Sequence, residues 1–125
     1  MNGVTSFYYR LGRAVALAML AIAMLPAAYA HTAFSLSSPA DGAVLSSAPA
    51  SFTIEFSESI ELKSVRLSGA DGTPWPIDWA KTEQRVIDVK FRTLKPLPPG
   101  KYVIDWAAVV TSHDDGGAIM FSVAP

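Results

Sequence analysis

The sequence predicts an all-β protein, because three features of the chain after residue 30 favour strands over helices. Apolar and polar residues alternate there with a period of two, as in a strand with one buried face. Turn signals made of Pro, Asp and Gly separate the alternating segments. The alternation leaves no segment with the 3.6-residue period of a helix. We therefore expect two sheets of short strands packed face to face.

Seven segments carry the alternation, and each is predicted to form one strand. In chain order their apolar residues are Phe34 and Leu36; Phe52, Ile54 and Phe56; Ile60, Leu62, Val65 and Leu67; Trp75, Ile77 and Trp79; Ile87, Val89 and Phe91; Tyr102, Ile104, Trp106, Ala108 and Val110; and Ile119, Phe121 and Val123. The main turns and loops between them are predicted at residues 37–49, 69–74, 80–84 and 94–100. Seven strands with such turns match a Greek-key, immunoglobulin-like β-sandwich.

Two of these predicted strands are irregular. In the third, the alternation slips by one residue between Leu62 and Val65, which indicates a bulge or a bend. In the fourth, Pro74 and Pro76 cannot donate hydrogen bonds to a neighbouring strand. The strand around Trp75 is therefore expected to lie at a sheet edge.

The first thirty residues have the pattern of a secretory signal peptide. Two arginines and no acidic residue precede an apolar run at 14–25, which is too short to span a bilayer comfortably. Ala28-Tyr29-Ala30 then offers small residues at the two positions that a signal peptidase must accept. An uncleaved anchor is the alternative. We expect cleavage after Ala30, so that the mature domain comprises residues 31–125 and begins with His31.

The composition of residues 31–125 limits the partners and the compartment. Eight basic and eleven acidic residues give a net charge of −3, which argues against a nucleic-acid partner. The length is that of one domain. The chain has no Cys, so an exported form must fold without disulfides, which suits a bacterial periplasm.

Strand order predicts that both histidines of the chain lie at one end of the sandwich. If successive strands run antiparallel, the same end gathers His31 and the segments "SES" (57–59), "KTEQ" (81–84) and "TSHDDGG" (111–117). The last of these contains His113, in a predicted loop. A histidine in such a loop is often merely solvated, but two at one end suggest a metal site.

The donor atoms at this end favour copper(II). An N-terminal histidine can chelate one metal ion through its α-amine and its imidazole Nδ1, and His113 would add a third nitrogen. A carboxylate or a water molecule would complete the tetragonal set that Cu(II) prefers. Zinc in a tetrahedral set remains the competing metal. Met120 is the one methionine after the signal peptide, which argues against a soft thioether site.

Two stretches of the sequence resemble the CopC family of periplasmic copper-binding proteins. "HTAFSLSSPADGAVLSSAPASFTIEFSESIE" (31–61) resembles the opening of that family, and "LPPGKYVIDWAAVVTSHDDGGAIMFSV" (97–123) resembles its closing part. The resemblance implies an immunoglobulin-like sandwich that binds one Cu(II) ion in the periplasm. It also implies a role in copper resistance or homeostasis, often beside an inner-membrane partner of the CopD type. We expect a monomer.

The histidine segment departs from the family pattern. The family usually has D-x-H-x-x-x-G, in which Asp and His both bind Cu(II), but Thr111 occupies the place of that aspartate here. Asp114 or Asp115 could substitute from the other side of His113, and Asp115 would share its face if the segment is extended. Because Asp115-Gly116 is also a turn signal, Asp115 is equally interpreted as structural. Glu58 is a third candidate ligand or a solvated acid.

Ser112-His113-Asp114 has the residue types of a hydrolytic triad, but neighbours in sequence cannot adopt its geometry. We do not expect an enzyme.

Two other classes of function remain open on the sequence. A copper monooxygenase also uses an N-terminal histidine, although this domain is small for a substrate-binding face. A metal-free sandwich that serves adhesion or assembly is the remaining alternative.

Overall fold

The computed structural model describes residues 32–125, so the predicted signal peptide and His31 lie outside the described residues. The described part of the chain is built from β-strands. They are β1 (Phe34–Ser38), β2 (Ala43–Leu45), β3 (Phe52–Gly69), β4 (Pro74–Trp75), β5 (Val86–Phe91), β6 (Gly100–Val110) and β7 (His113–Val123). No helix within this range is long and apolar enough to cross a membrane.

The strands form the two sheets of a sandwich, which confirms the predicted fold class. In one sheet, the first half of β3 lies between β1 and β5. In the other, the second half of β3 lies between β4 and β6, and β7 and then β2 continue the sheet beyond β6. All pairs are antiparallel except β2 with β7, which is parallel.

The strand β3 replaces two predicted strands. The second and third predicted strands are one continuous segment of 18 residues that belongs to both sheets. Its three exposed residues 57–59 lie where the pairing with β5 is interrupted between Glu55 and Ile60. The predicted slip is confirmed as a shift in the pairing with β6 between Leu62 and Ser64. Polar residues at the bend look like a loop in sequence, although the backbone stays extended.

Two short strands also differ from the sequence prediction. Residues 43–45 were expected to be loop, but they form β2, because three residues are too few to show a period. The Asp41 carboxylate supports this edge by accepting a 2.8 Å hydrogen bond from the Met120 amide. The fourth strand contains only Pro74 and Trp75, and it pairs only with β3 among the described strands, which confirms its predicted edge position.

The core lies between the two sheets and contains most of the residues predicted for it. The buried residues are Ala33, Phe52, Ile54, Phe56, Ile60, Leu62, Val65, Leu67, Phe91, Leu97, Tyr102, Ile104, Trp106, Ala108, Val110, Ile119, Phe121 and Val123. Leu36 and Ile87 were expected to face inward, but they are 52% and 59% exposed. Both lie beside a register shift, which moves one strand residue to the opposite face.

Candidate metal centre

One end of the sandwich brings together the described parts of the segments that strand order predicted to meet. The Asp115 carboxylate of β7 contacts Thr32 and Ala33, and Ser57 of β3 also contacts Ala33. Arg85, just after the 81–84 link, donates from Nε to the Ser59 hydroxyl over 3.2 Å and from Nη2 to the Ser59 carbonyl. These contacts bring the segments 57–59 and 111–117 to the start of the described chain, as predicted, and Arg85 places the end of the 81–84 link at the same bend.

His113 lies in a strand and not in the loop that the sequence predicted. Only Thr111 and Ser112 form the turn between β6 and β7, with Thr111 at a φ of 58°, and His113 pairs with Val110 as the first residue of β7. Gly116 and Gly117 suggested a loop, but both are paired in the strand.

The two glycines are explained by the close approach of Trp106. A Cβ on Gly117 would lie 2.9 Å from the indole Nε1, and a Cβ on Gly116 would lie 2.9 Å from the Trp106 carbonyl oxygen. Glycine inside a strand often marks such an approach. The glycine signal therefore reports packing against the indole and not a turn.

His113 and Asp115 share one face of β7, as expected for an extended segment. They pair with Val110 and Ala108, whose side chains are buried, so they stand at the rim of the inter-sheet space. His113 is exposed and Asp115 is half-buried. Asp114 points to the opposite face of the sheet. The pKa of Lys63 is raised mainly by its hydrogen bond with Glu61, and the charge of Asp114 contributes to the same shift.

The Asp115 carboxylate holds the chain at the entrance to β1. Its Oδ2 accepts hydrogen bonds from the Ala33 amide over 2.8 Å and from the Thr32 hydroxyl over 3.3 Å. Its Oδ1 accepts from the Gly116 amide over 2.8 Å. Burial raises the pKa of Asp115, but these hydrogen bonds and the nearby His113 lower the pKa by more, so the net shift is downward. The site therefore favours the charged carboxylate.

Ala33 is fixed from its carbonyl side as well. The Ala33 oxygen accepts hydrogen bonds from the Ser57 amide over 2.7 Å and from the Ser57 hydroxyl over 3.1 Å. Its methyl group is only 5% exposed. Ala33 therefore connects β3 of one sheet with β7 of the other.

The other acidic residues of this end are more loosely placed. Glu58 is exposed at the bend of β3. Glu61 forms a 2.7 Å ion pair with Lys63, and this hydrogen bond lowers the pKa of Glu61. Sequence reasoning missed the contact of Arg85 with Ser59, because the two residues are 26 positions apart.

The described residues do not form a complete metal site by themselves. Within residues 32–125, no group of three or more His, Cys, Asp or Glu side chains is placed to hold a metal ion. His113 is the one imidazole in this range, and Asp115 is the acidic residue of β7 that shares its face. His31, the other predicted histidine ligand, lies outside the described residues.

One relative of this chain is a copper transport protein. The chain is 32% identical over 114 residues to the copper transport protein CutJ of Bacillus subtilis (strain 168), in an alignment that covers 84% of this chain. It spans only 20% of the length of that relative.

Solved structures show the same fold. One is PcoC, a methionine-rich copper resistance protein from Escherichia coli, which is 26% identical, with a TM-score of 0.58 over 75% of this chain and 99% of PcoC. CopC from Methylosinus trichosporium OB3b is 17% identical, with a TM-score of 0.60 over 76% of this chain and 95% of that protein.

A family profile covers nearly all of the described domain. The profile of the CopC domain matches residues 34–124, which include every strand from β1 to β7. The sandwich, its histidine-bearing end and this match agree, and the chain is a member of the CopC domain family.

Proposed function

We propose that the chain is a periplasmic copper-binding protein of copper resistance or homeostasis, which binds one Cu(II) ion through an N-terminal histidine brace. The observation that carries this proposal is the hydrogen bond between Ala33 and Asp115. It ties the residue two places after His31 to the strand face that bears His113. The names of the relatives, a copper transport protein and a copper resistance protein, support copper as the cargo.

The proposed equatorial donors are three nitrogens and one oxygen. His31 supplies its α-amine and Nδ1 after cleavage behind Ala30, and His113 supplies one imidazole nitrogen. Water fills the fourth position, because Asp115 already accepts three hydrogen bonds and Asp114 points to the opposite face. Glu58 lies on the exposed bend of β3, and we do not assign it to the fourth position either.

The chemistry of these donors selects the metal and its oxidation state. Nitrogen and oxygen donors in a tetragonal set suit Cu(II), whereas Zn(II) prefers a tetrahedral set and would compete less well. Outside the predicted signal peptide the chain offers a single thioether, Met120, on an exposed position of β7. Cu(I) bound by several methionines is therefore not proposed for this chain.

We assign the protein a role in holding or delivering copper and not in catalysis. The relative CutJ is named a copper transport protein, and this domain matches only 20% of its length. The joining of such a domain to a longer transport protein supports a transport partner for this chain. We propose an inner-membrane protein of the CopD type for that partner, and a monomeric donor.

The direct test is electron paramagnetic resonance of the correctly processed protein with one equivalent of Cu(II). We expect a tetragonal spectrum with nitrogen hyperfine structure. A form with one additional glycine before His31 should lose most of its affinity and keep its fold, because the extension destroys the chelate ring. An extension at the C-terminus is the matched control. Equal copper affinity in the wild-type and glycine-extended forms would contradict the brace.

A further inference from the structure

Two side chains fix the segment that leads from the mature N-terminus into the domain. We propose that Asp115 and Ser57 are positioning residues, which orient residues 32–33 so that the N-terminal amine meets the imidazole of His113. This inference rests on the proposed function and deepens it. It assigns Asp115 a role in the site that does not require contact with the metal.

The hydrogen bonds on Ala33 come from two different strands. Asp115 of β7 holds the amide at 2.8 Å, while Ser57 of β3 holds the carbonyl through its own amide at 2.7 Å and its hydroxyl at 3.1 Å. Thr32 adds a contact to Asp115 at 3.3 Å and accepts a bond from the Phe34 amide at 3.0 Å. With the Ala33 methyl buried, the backbone at this residue has little freedom to rotate.

The reach of the chain makes this fixation relevant to His31. Two extended residues span at most about 7 Å, so the amine of a chain that begins at His31 cannot lie farther than that from the Ala33 amide nitrogen. His113 and Asp115 are two positions apart in a strand, which is also about 7 Å. Fixing Ala33 beside Asp115 therefore lowers the entropic cost of bringing the amine of a chain that begins at His31 to His113.

The hydrogen-bonding capacity of Asp115 separates positioning from ligation. A carboxylate has about four acceptor positions, and three hydrogen bonds already occupy Asp115. The Ala33 amide and the Thr32 hydroxyl share Oδ2, so a bond from Oδ2 to the metal would compete with the hold on Ala33, and only Oδ1 keeps a free acceptor position. Asp115 thus serves the site best by keeping that hydrogen bond when copper is bound.

The experiment begins with Cu(II) affinities of the processed protein, measured by competition with a chromophoric chelator. Asp115→Ala should bind about 10- to 100-fold more weakly than wild type, the usual cost of removing outer support from a metal site. Ser57→Ala should lose less affinity, because it removes only the hydroxyl contact and keeps the bond from its amide to Ala33. Asp115→Asn keeps one acceptor oxygen and should recover part of the loss. Asp105→Ala and Ser35→Ala, which change exposed residues of β6 and β1, are the matched controls for charge and for the hydroxyl.

A double-mutant cycle with the glycine-extended N-terminus distinguishes the possible roles of Asp115. If Asp115 acts through the amine, its replacement should change affinity in the mature form and have almost no effect in the extended form. The same fold loss in both forms would overturn the proposal, because a direct ligand or a simple charge effect persists without the amine. The Cu(II) spectrum of Asp115→Asn at saturation should match that of wild type, and a changed set of ligands would also overturn the proposal.

A metal-free measurement guards against misfolded variants. In the apo protein, amide exchange at Ala33 should be slow in wild type and faster in Asp115→Asn, while the amides of β3 stay protected. Equal exchange rates at Ala33 would contradict the clamp. A wild-type protein that binds no Cu(II) contradicts the proposed function itself, whereas wild-type affinity in all variants contradicts only the positioning role.

Discussion

At Ala33 the chain enters the domain, and both polar groups of its backbone are held by other strands. Asp115 and Ser57 lie on opposite sheets, so the position of Ala33 depends on the packing of the whole sandwich. A chelating terminus requires such a support, because a free terminus samples many orientations before it meets a second ligand.

Replacing the two histidines should reveal their different roles in the proposed site. His31→Ala removes a chelate ring, whereas His113→Ala removes one nitrogen and leaves the ring intact. Both variants should bind Cu(II) more weakly, by at least about tenfold, with the larger loss for His31→Ala. The measurement is competition with a chromophoric chelator on processed protein. Equal affinities for wild type and His113→Ala would show that His113 is not a ligand.

The sequence supplied the residue types of the site but not their contacts. His113 and Asp115 could be placed on one face, because side chains alternate in any extended segment. The hydrogen bond from Ala33 to Asp115 joins residues 82 positions apart, and no local pattern records such a contact. The sequence left the role of Asp115 open between a ligand and a structural residue, since an aspartate beside a histidine looks the same whether it binds metal or backbone.

Among the structural elements, the β6–β7 hairpin determines the position of His113. Its turn has only two residues, so the register of every pair between Val110 and Gly100 follows from it. The indole of Trp106 lies over Gly117 and contacts Phe56 edge-on, with ring centroids 5.1 Å apart. The packing of one tryptophan therefore links the hairpin to the opposite sheet.

A methyl group on Gly117 should disturb this hairpin. Its Cβ would lie 2.9 to 3.2 Å from three atoms of the Trp106 indole, so Gly117→Ala should lower the free energy of unfolding by about 1–3 kcal/mol. Urea denaturation of the apo protein measures the change. In a Trp106→Phe background the same substitution should cost less, because the contacted ring atoms are gone. An undiminished cost in that background would refute the steric explanation.

Strand prediction succeeded where alternation was long and failed where it was short or continued through a bend. β6 shows five alternate apolar residues and was predicted over almost its full length. The three-residue β2 carries no period, and its parallel pairing with β7 depends on a segment far along the chain. The exposed bend of β3 looked like a connection, because residues 57–59 are all polar.

For the whole molecule, the predicted class of fold and the core were largely readable from sequence. Two-sheet packing follows from strands with one apolar face, and most of the predicted apolar residues are buried. Which half of β3 joins which sheet could not be read, because that choice depends on partners contributed by four other strands. Leu36 and Ile87 were misassigned because each lies beside a register shift, which depends on the partner strand and leaves no local signal in the sequence.

The stability of the domain should depend on pH through Asp78. The hydrogen bond from the Arg92 amide, 2.6 Å long, lowers the pKa of this carboxyl; burial opposes the shift, and the Arg92 side chain adds to it. Because the pKa of Asp78 is lower in the folded state than in the unfolded state, where it is about 3.9, the charged carboxylate stabilises the fold at pH values above that value. This stabilisation is lost as the pH falls through the pKa of the folded state.

Asp78→Asn should therefore be less stable than wild type at pH 7, and the difference should shrink below about pH 4. Urea midpoints of the apo proteins between pH 7 and pH 3 provide the measurement. Asp88→Asn, which removes an exposed carboxylate of β5, is the control for net charge. A difference that stays constant down to pH 3 would show that the charge of Asp78 has no part in its effect.

The continuity of β3 has a consequence for how the domain loses its structure. Each sheet uses a different half of the same 18-residue strand as an inner member, with neighbours on both sides. If β3 separates from its partners in one sheet, the other sheet loses its continuous inner strand as well. We therefore expect the two sheets to unfold together. The sandwich accordingly behaves as a single cooperative unit, in which local fraying is confined to short outer strands such as β2 and β4.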